Sequence, residues 1–228
     1  MTSKSALELL YPFLHGKEQD PAAVDAALLH SIEEKARESR ETNANFFAER
    51  ATVLLGAAKA LAAVYRRGGR MFTMGNGGSS CDASHVAVEF LHPITAGRPA
   101  LAAINLTADV AMNFAVANDV GFEHVFVRQL IAHAREGDGL IGLSTSGNSA
   151  NLIAAFVKAR EMGLTTIGFS GGDGGKMTNV CDHCLVVPTM SVHRIQECHV
   201  AAYHILWDLV HTLLAGDRGS AIDKDVAA

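Results

Sequence analysis

Two clusters of ionisable side chains have the types and spacing for chemistry. In the first, His85 and Glu89 are four residues apart in a stretch with helical character, so they would share one helix face. A carboxylate beside an imidazole can transfer protons or bind a metal ion. The alternative is an ordinary surface or core histidine beside a solvated glutamate, and this pair alone does not decide between the two.

The second cluster lies near the C-terminus, in HRIQECHVAAYH (193–204). It places three histidines, a glutamine and a glutamate in an otherwise apolar helix, without the spacing of a heme or zinc-finger site. The segment CDHC (181–184) holds the only Cys-x-x-Cys pair of the chain. Because no second cysteine pair completes a zinc site, we predict a structural role for CDHC.

Two polar turns could hold an anion. The first, GNGGSS (75–80), follows a predicted strand and opens a predicted helix, where glycines allow close approach to free N–H groups. It matches neither the Walker loop nor the dinucleotide fingerprint. The alternative is a tight turn with serine caps.

The second turn, STSGNS (144–149), also joins a strand to a helix. Ser146, Asn148 or Ser149 could cap that helix, but a cap needs one hydroxyl and this turn offers four. Hydroxyls and backbone N–H groups can together satisfy the oxygens of a phosphate. The two turns therefore predict a phosphorylated small molecule as the ligand.

Alternating apolar runs and helical stretches must position these clusters. Strands are predicted at 70–75, 99–106, 139–147, 164–171 and 183–188, and helices near 79–91, 108–117, 122–135, 148–162, 173–179 and 192–214. This alternation predicts an α/β fold with a parallel sheet covered on both faces, and ligands at the carboxyl ends of its strands.

The N-terminal third has a different pattern. Residues 22–67 carry helix formers with apolar side chains spaced by three and four, which predicts two helices with a break near 42–45 and a stop at Gly68–Gly69. These helices could pack on the domain or on a partner subunit. The predicted organisation is an N-terminal arm (1–20), N-terminal helices (21–67), the α/β domain (68–214) and a disordered tail (215–228).

Composition narrows the class of protein. The 228 residues are 49% hydrophobic and 19% charged, which suits one sizeable domain with a buried core. The net charge of -5 gives no electrostatic basis for binding nucleic acid or an anionic membrane. We find no apolar run of membrane-spanning length and no signal-peptide pattern, so we expect a cytoplasmic protein. The four cysteines do not form a disulfide framework.

Taken in order, the motifs GNGGSxCDAxHxAxE, AND, STSGNSAN, GGKM and RIQExHxxxxH resemble the phosphoheptose isomerases of the sugar isomerase (SIS) domain superfamily, over roughly residues 45–213. The resemblance implies a SIS domain with a five-stranded parallel sheet and helices on both faces, a flavodoxin-like three-layer sandwich, plus the N-terminal helices. It implies a homotetramer with active sites at subunit interfaces. It also implies conversion of sedoheptulose 7-phosphate to D-glycero-D-manno-heptose 7-phosphate, the first step towards lipopolysaccharide heptose.

The same resemblance assigns roles to residues. Glu89 and His204 match the acid–base pair; we expect Glu89 to act at the reacting carbons and His204 on the oxygens, because isomerisation moves a proton between neighbouring carbons through an enediol. The positions that match a zinc site, implying one ion per subunit, are His85, Glu89, Gln196 and His204. The positions that match the substrate site are Asn76, Gly77, Gly78, Ser79, Asn118, Asp119, Ser144, Thr145, Ser146, Ser149 and Gln196.

Gln196 and His204 pose a geometric problem for a shared ion. They are eight residues apart, which on a straight helix separates them by about 12 Å along the axis. We therefore expect either that Gln196 lies in a non-helical entry to the helix or that the site draws on more than one subunit.

The sequence departs from the family at two places on the substrate side. His193 stands where members commonly carry Asp; it could contact the substrate or bind metal, and a plain surface histidine is the simpler prediction. Pro93 stands near the position of a family Arg, in the segment FLHPITAGRP, which looks shortened and whose first arginine is Arg98. These departures leave the identity of the sugar phosphate open.

Two other functions remain possible from the sequence. One is a non-catalytic regulator, because a related protein that associates with the bacterial replication initiator has the same fold but lacks the acid–base pair. The other is a sensor that binds a sugar phosphate without turnover. The presence of both Glu89 and His204 favours the enzyme.

Overall fold

The computed structural model describes residues 21–218, so the predicted N-terminal arm (1–20) and the part of the predicted tail beyond 218 lie outside the described residues. Contacts divide the chain into two units that meet between Glu41 and Thr42. The second unit carries the sheet and every candidate site residue.

The second unit contains one five-stranded sheet. Its strands are β1 (Met71–Gly75), β2 (Ala103–Asn105), β3 (Gly139–Leu143), β4 (Thr165–Gly171) and β5 (His183–Val187). Every neighbouring pair is parallel and the order is β2-β1-β3-β4-β5. The predicted five-stranded parallel sheet is confirmed, and the order is that of a doubly wound, flavodoxin-like fold.

Helices connect and cover the strands. They are α1 (Pro21–Arg66), α2 (Gly78–Leu91), α3 (Val110–Asp119), α4 (Val125–His133), α5 (Ala150–Glu161) and α6 (Val192–Arg218), with short 3-10 helices at Phe122–His124 and Gly175–Asn179. The predicted strand at 139–147 ends early because residues after Leu143 turn away to form a loop. Helix α6 continues past the predicted end at 214 to Arg218.

Two hydrophobic cores lie on opposite faces of the sheet, which makes the architecture three-layered. Side chains alternate across a strand, so Met71 of β1 joins the core with α1, α2 and α6, whereas Phe72 and Met74 join the core with α3, α4 and α5. Residues of β1 and β3 are buried throughout, as expected for central strands covered on both faces.

Helix α1 corrects one prediction and confirms another. The predicted break near 42–45 is wrong, because these residues are helical. Local polarity from Thr42, Asn43 and Asn45 suggested a turn, but nearby side chains such as Phe46 are buried in the core and hold the helix. The predicted stop at Gly68–Gly69 is confirmed: α1 ends at Arg66 and Gly68 has a φ of 79°, a conformation that favours glycine after a helix.

The first unit contributes the helical residues 21–41. Arg37 pairs with Glu34 and Glu41 at 2.8 and 3.1 Å along the exposed surface, and such pairs add little stability. The side chains of Leu28, Leu29 and Ile32 are exposed. Across the described residues, we find no helix with both the length and the apolar character that a membrane span requires.

Candidate active site

The two polar turns lie side by side at the carboxyl edge of the sheet. Strands β1 and β3 are direct neighbours, with Gly75 paired to Leu143 at their ends, so the loops 75–80 and 144–149 leave the sheet together. Strand β2 lies on the other side of β1, so the direction in which strands are added to the sheet reverses between β1 and β3. Ligands of such folds bind at the carboxyl ends of the strands at this switch point.

In the first loop, the backbone at Gly75 lies very close to the backbone at the start of α2. A Cβ on Gly75 would lie 2.2 Å from the carbonyl oxygen of Ser79, so only glycine fits there. Gly77 has a φ of 54° and begins α2 without a side-chain cap, and Ser80 bonds back to the Gly77 carbonyl at 2.7 Å. The start of α2 is therefore free of the serine cap that the alternative interpretation required, and its N–H groups suit an anion.

The second loop also leaves its helix without a side-chain cap. Ser149 is the N-cap residue of α5 but makes no capping bond, and its hydroxyl instead lies 3.0 Å from the hydroxyl of Ser144. The Asn148 backbone N–H donates to the Ser146 hydroxyl oxygen at 3.2 Å. Thr145, Ser146 and Asn148 line a cavity of about 340 Å³. The hydroxyls thus gather in one turn beside an open volume.

A pair of amides joins the first loop to the start of α5, and sequence analysis assigned no role to Asn151. The amide nitrogen of Asn76 donates to the Asn151 side-chain oxygen, and that of Asn151 donates to the Asn76 oxygen, both at 2.9 Å. Asn151 is 1% exposed. An asparagine in the first turn of α5 was the available signal, but only the fold shows that it reaches the neighbouring loop.

The GGKM segment supports the second loop from the other side. The Asn148 side-chain oxygen accepts from the backbone N–H of Lys176 at 3.0 Å, and Gly147 accepts from the N–H of Met177 at 3.0 Å. The first loop borders a smaller cavity of about 160 Å³, lined in part by Asn76, Gly77 and Asn113. The loops are therefore tied down by backbone and amide bonds, with cavities beside them.

The structure brings His85, Glu89 and His204 together. The Nε2 atom of His85 lies 3.1 Å from Oε1 of Glu89 and 3.4 Å from Nε2 of His204. All three side chains are partly buried, and one ligand atom from each lies within 4.8 Å of the others. Helix α2 supplies two members and α6 supplies the third, so the packing of these helices builds the cluster.

Tyr203 is a neighbour of this cluster that sequence reasoning missed. Its hydroxyl oxygen lies 2.8 Å from Nδ1 of His85, and the two rings meet edge to face. Burial raises the pKa of the Tyr203 phenol, with the charges of Asp82 and Glu89 adding to it. The phenol is therefore neutral, and its contact with Nδ1 fixes the orientation of the His85 ring.

Burial also adjusts the ionisable groups of the site. The pKa of His204 is lowered by burial and by the neighbouring His85, while Glu89 opposes the shift. The pKa of Asp82 is raised by burial, against the effect of His85. His204 is therefore neutral near pH 7 and can accept a proton, donate its ring hydrogen or bind a metal ion.

The cluster fits a divalent metal such as zinc. Two imidazoles and one carboxylate form a common ligand set of catalytic zinc sites, which leave further positions open. In a tetrahedral site with bonds of about 2.0–2.1 Å, ligand atoms stand about 3.3 Å apart, and the separations of 3.1 and 3.4 Å from His85 to Glu89 and His204 are close to this. When Nε2 of His85 holds a metal, its proton must lie on Nδ1, where the Tyr203 oxygen can accept it.

The position of Gln196 contradicts one of the two explanations predicted for its distance from His204. Gln196 lies inside helix α6 with His204, so the predicted non-helical entry is wrong. The helix already begins at Val192 and continues through both residues. The Gln196 amide nitrogen would lie 2.5 Å from a Cβ placed on Gly78, so the side chain contacts the start of α2. A Gln196 contribution to the metal stays a prediction.

Three predicted or departing positions lie apart from these contacts. Asn118 and Asp119 form the exposed end of α3, where the Asn118 amide donates to Asp119 at 2.7 Å. In the described part of the chain, no hydrogen bond joins them to the polar loops or to the histidine cluster. His193 is exposed in the first turn of α6, as the simpler prediction expected.

The CDHC segment lies at the start of β5, and its structural role stays a prediction. Cys181 and Cys184 are free thiols in the described residues, and burial raises the pKa of both. Asp182 accepts hydrogen bonds from the backbone N–H and hydroxyl of Thr166, both at 2.8 Å. The segment thus joins β4 to β5.

Comparisons with known proteins agree with the fold and motifs. The chain matches the SIS domain family over residues 36–171. It is 45% identical over 181 residues to a phosphoheptose isomerase of Desulfovibrio desulfuricans, covering 79% of this chain and 86% of that one.

Two solved structures extend the comparison. Phosphoheptose isomerases of Neisseria gonorrhoeae and Francisella tularensis superpose with TM-scores of 0.77 and 0.78, at 35% and 33% identity. Each superposition covers 81% of this chain, and 99% and 98% of those chains respectively.

Proposed function

The chain belongs to the phosphoheptose isomerase family of SIS-domain proteins, and we propose that it interconverts sedoheptulose 7-phosphate and D-glycero-D-manno-heptose 7-phosphate. The observation that carries the proposal is the joint placement of Glu89 and His204 in one cluster. That cluster shares helix α2 with the first polar loop.

Helix α2 relates the two ends of the proposed site. It begins at the GNGG loop and carries His85 about two turns later, a distance of about 10 Å along its axis. An extended sugar phosphate suits this span, with its phosphate on the loops and its reacting carbons at the cluster. The loop residues Asn76, Gly77, Gly78 and Ser79, with the second loop's hydroxyls, would hold the phosphate by neutral hydrogen bonds.

The proton transfers follow from the chemistry of the side chains. Glu89 removes a proton from C1 of the ketose to give an enediol and returns it to C2 of the aldose. Meanwhile a proton must leave the C1 hydroxyl and another must reach the C2 oxygen, and the His204 imidazole relays these. A carboxylate that accepts a carbon-bound proton and a neutral imidazole that shuttles oxygen-bound protons complete the reaction without net proton change.

Zinc is the metal we propose for the cluster, where one atom each of His85, Glu89 and His204 would hold it and the second carboxylate oxygen of Glu89 and Nδ1 of His204 would stay free for proton transfer. When bound, it would supply a Lewis acid for the substrate oxygens. Gln196 completes the ligand set that family resemblance predicts, although glutamine is a poor zinc ligand.

The proposed assembly is a homotetramer in which neighbouring subunits complete each site. The exposed Asn118–Asp119 pair supports this, because within residues 21–218 it makes no hydrogen bond to the polar loops, which suits a role towards another copy. The exposed Leu28, Leu29 and Ile32 support packing of the N-terminal helix on a partner. The domain boundaries and a cytoplasmic location remain predictions, as does the expected lack of nucleic-acid and membrane partners.

The non-catalytic alternatives are less favoured. A regulator or sensor needs the polar loops but gains nothing from Glu89 and His204 positioned against His85. Here the three groups lie within contact distance, and Tyr203 holds the ring of His85 by a hydrogen bond.

The direct test is to incubate the purified full chain with sedoheptulose 7-phosphate and to follow the aldose by chromatography or NMR. Turnover with added zinc, reduced by a chelator, supports the proposal in full. Turnover that is insensitive to zinc and to the chelator supports the isomerase activity and contradicts a role for the metal. No turnover with or without zinc, with phosphate-ligand binding retained, contradicts the isomerase and favours the sensor.

A further inference from the structure

The carbonyl of Glu89 lies in the last turn of helix α2, where carbonyls have no hydrogen-bond partner within the helix. In an α-helix the carbonyl of each residue accepts from the N–H four residues later, so the partner of Glu89 would be residue 93. That residue is Pro93, which has no N–H. The preceding His92 has left the helical region, with φ of -137° and ψ of 73°, as expected before proline. The carbonyl of Glu89 therefore needs a donor from elsewhere.

Helix α6 supplies that donor. The indole N–H of Trp207 donates to the carbonyl oxygen of Glu89 at 2.8 Å. Trp207 is the only tryptophan of the chain and is 8% exposed. The next carbonyl, that of Phe90, accepts from the backbone N–H of Leu101 at 2.8 Å. The Phe90 carbonyl thus receives its hydrogen bond from the loop backbone, whereas the Glu89 carbonyl receives its hydrogen bond from a side chain.

The indole is itself held in place by Arg98 and Asp208. The guanidinium carbon of Arg98 lies 4.3 Å from the ring centroid of Trp207, which is a cation–π contact. Arg98 also forms an ion pair with Asp208, the residue after Trp207. Its Nη1 atom is buried without a hydrogen-bond partner in the part of the chain that the structure describes, as expected for a guanidinium lying against a ring. The segment after Glu89 is thereby fastened to α6.

We propose that Trp207 is a positioning residue for Glu89, and that its indole supplies the hydrogen bond that Pro93, which has no N–H, cannot donate. The inference rests on the proposed role of Glu89 as the base. Trp207 and His204 lie one turn apart on α6, so one helix carries the proposed acid and the group that fixes the proposed base. A shift at the end of α2 would move the Glu89 carboxylate away from His204, and small displacements of catalytic groups lower rates strongly.

The test uses Trp207→Phe, which keeps an aromatic ring under Arg98 and removes only the N–H donor. We expect kcat per folded subunit to fall about tenfold, with KM for sedoheptulose 7-phosphate within about twofold of wild type. Pro93→Ala supplies an N–H at residue 93 and frees His92 from its restriction. In the double variant with Trp207→Phe, it should restore most of the lost rate.

Val210→Ala is the matched control for simple loss of packing. Val210 is buried in α6 close to Trp207 and does not belong to the proposed site. This variant should lower the thermal midpoint without changing kcat per folded subunit. A structural effect of Trp207→Phe would resemble this control, and a backbone N–H restored at residue 93 would not reverse it.

A second readout does not depend on turnover. Glu89–Phe90 is the only Glu-Phe pair in the sequence. Protein labelled with ¹³C at glutamate carbonyls and ¹⁵N at phenylalanine amides therefore gives one correlated NMR signal, which reports the Glu89 carbonyl. Trp207→Phe should shift this signal, and adding Pro93→Ala should move it back.

The outcomes separate this proposal from the proposed function. A wild-type protein that fails to convert the sugar phosphate contradicts the proposed function. The NMR signal then tests the indole contact by itself. A shift in Trp207→Phe that Pro93→Ala reverses supports the contact, and an unchanged signal overturns it. In an active enzyme, wild-type kcat in Trp207→Phe, or no recovery in the double variant, overturns the positioning role.

Discussion

The two ends of the candidate site are made from different kinds of groups. The loops GNGGSS and STSGNS contain no charged side chain and offer backbone N–H groups, hydroxyls and amides. The other end places His85, Glu89 and His204 within reach of one another. A phosphate needs several fixed hydrogen-bond donors that do not change with pH, whereas isomerisation needs groups that gain and lose protons near neutrality.

The two ends are also held by different means. The reciprocal amide pair of Asn76 and Asn151 fastens the first loop to the first turn of α5, which follows the second loop. At the reactive end, helix α6 contacts α2 through single side chains, with Tyr203 on His85 and Trp207 on the Glu89 carbonyl. Damage to the loops should therefore affect substrate affinity, and damage at the helix contacts should affect metal affinity or rate.

Glu89→Gln should have the largest effect on turnover. Glutamine keeps the size of the side chain but cannot accept a carbon-bound proton, so we expect kcat to fall by about three orders of magnitude. Calorimetric affinity for sedoheptulose 7-phosphate should stay close to wild type, since the phosphate end is intact. Retained turnover would remove Glu89 from its role as base.

Asn151→Ala should affect the phosphate end next most strongly. It removes both amide bonds and leaves the Asn76 side chain without its buried partner, a cost of about 1–3 kcal/mol. We expect KM to rise by roughly tenfold or more, with a smaller change in kcat, measured by steady-state kinetics. Zinc affinity at the histidine cluster, measured on the same variant, is the control; a parallel loss there would show that the two ends are not independent.

The sequence predicted where both ends of the site lie in the fold, because the residue patterns that mark them are local. Each polar loop follows an apolar strand and opens a helix, so its position at the sheet edge follows from the alternation alone. The α1 break was mispredicted for the opposite reason. Local polarity near Thr42 and Asn45 suggested a turn, but tertiary burial of Phe46 and the following apolar residues favours a continuous helix.

The contacts that hold the site were not predictable from the sequence, because they join distant residues. Tyr203 and His85 are 118 positions apart, as are Trp207 and Glu89, and Asn76 and Asn151 are 75 apart. Nothing local to Tyr203 distinguishes it from a core tyrosine. Pro93 was visible as a departure, but its consequence, a carbonyl without a backbone donor, needed the structure to show which side chain replaces it.

Tyr203→Phe should change the reactive end moderately. Loss of the hydroxyl removes the group that orients the His85 ring, and such partners contribute about tenfold or more to metal affinity. Zinc titration by calorimetry should show weaker binding, while KM for the sugar phosphate stays near wild type. Tyr65→Phe is the matched control, since its hydroxyl donates to the Ala102 carbonyl away from the cluster. Equal losses in both variants would contradict a specific role for Tyr203.

The smallest effect on turnover is expected at His199, which lies on α6 near His204 but belongs to neither end of the site. His199 is fully buried, its Nε2–H donates to the Ser170 carbonyl at 3.1 Å, and burial lowers its pKa to about 4. Between the ordinary histidine value of about 6.5 and this value, the unfolded chain binds more protons than the folded one. His199 therefore contributes stability above pH 6.5 that is lost as pH falls through 4.

His199→Gln can keep a hydrogen-bond donor but cannot titrate in this range. Denaturant unfolding of wild type should lose on the order of 3 kcal/mol between pH 6.5 and 4 through this one group, on top of losses shared with the variant. The variant should show a shallower decline and near-normal turnover at pH 7.5. Parallel curves would mean that His199 is not the neutral, buried residue described here. A large loss of turnover at neutral pH would show that His199 also belongs to the reactive end of the site.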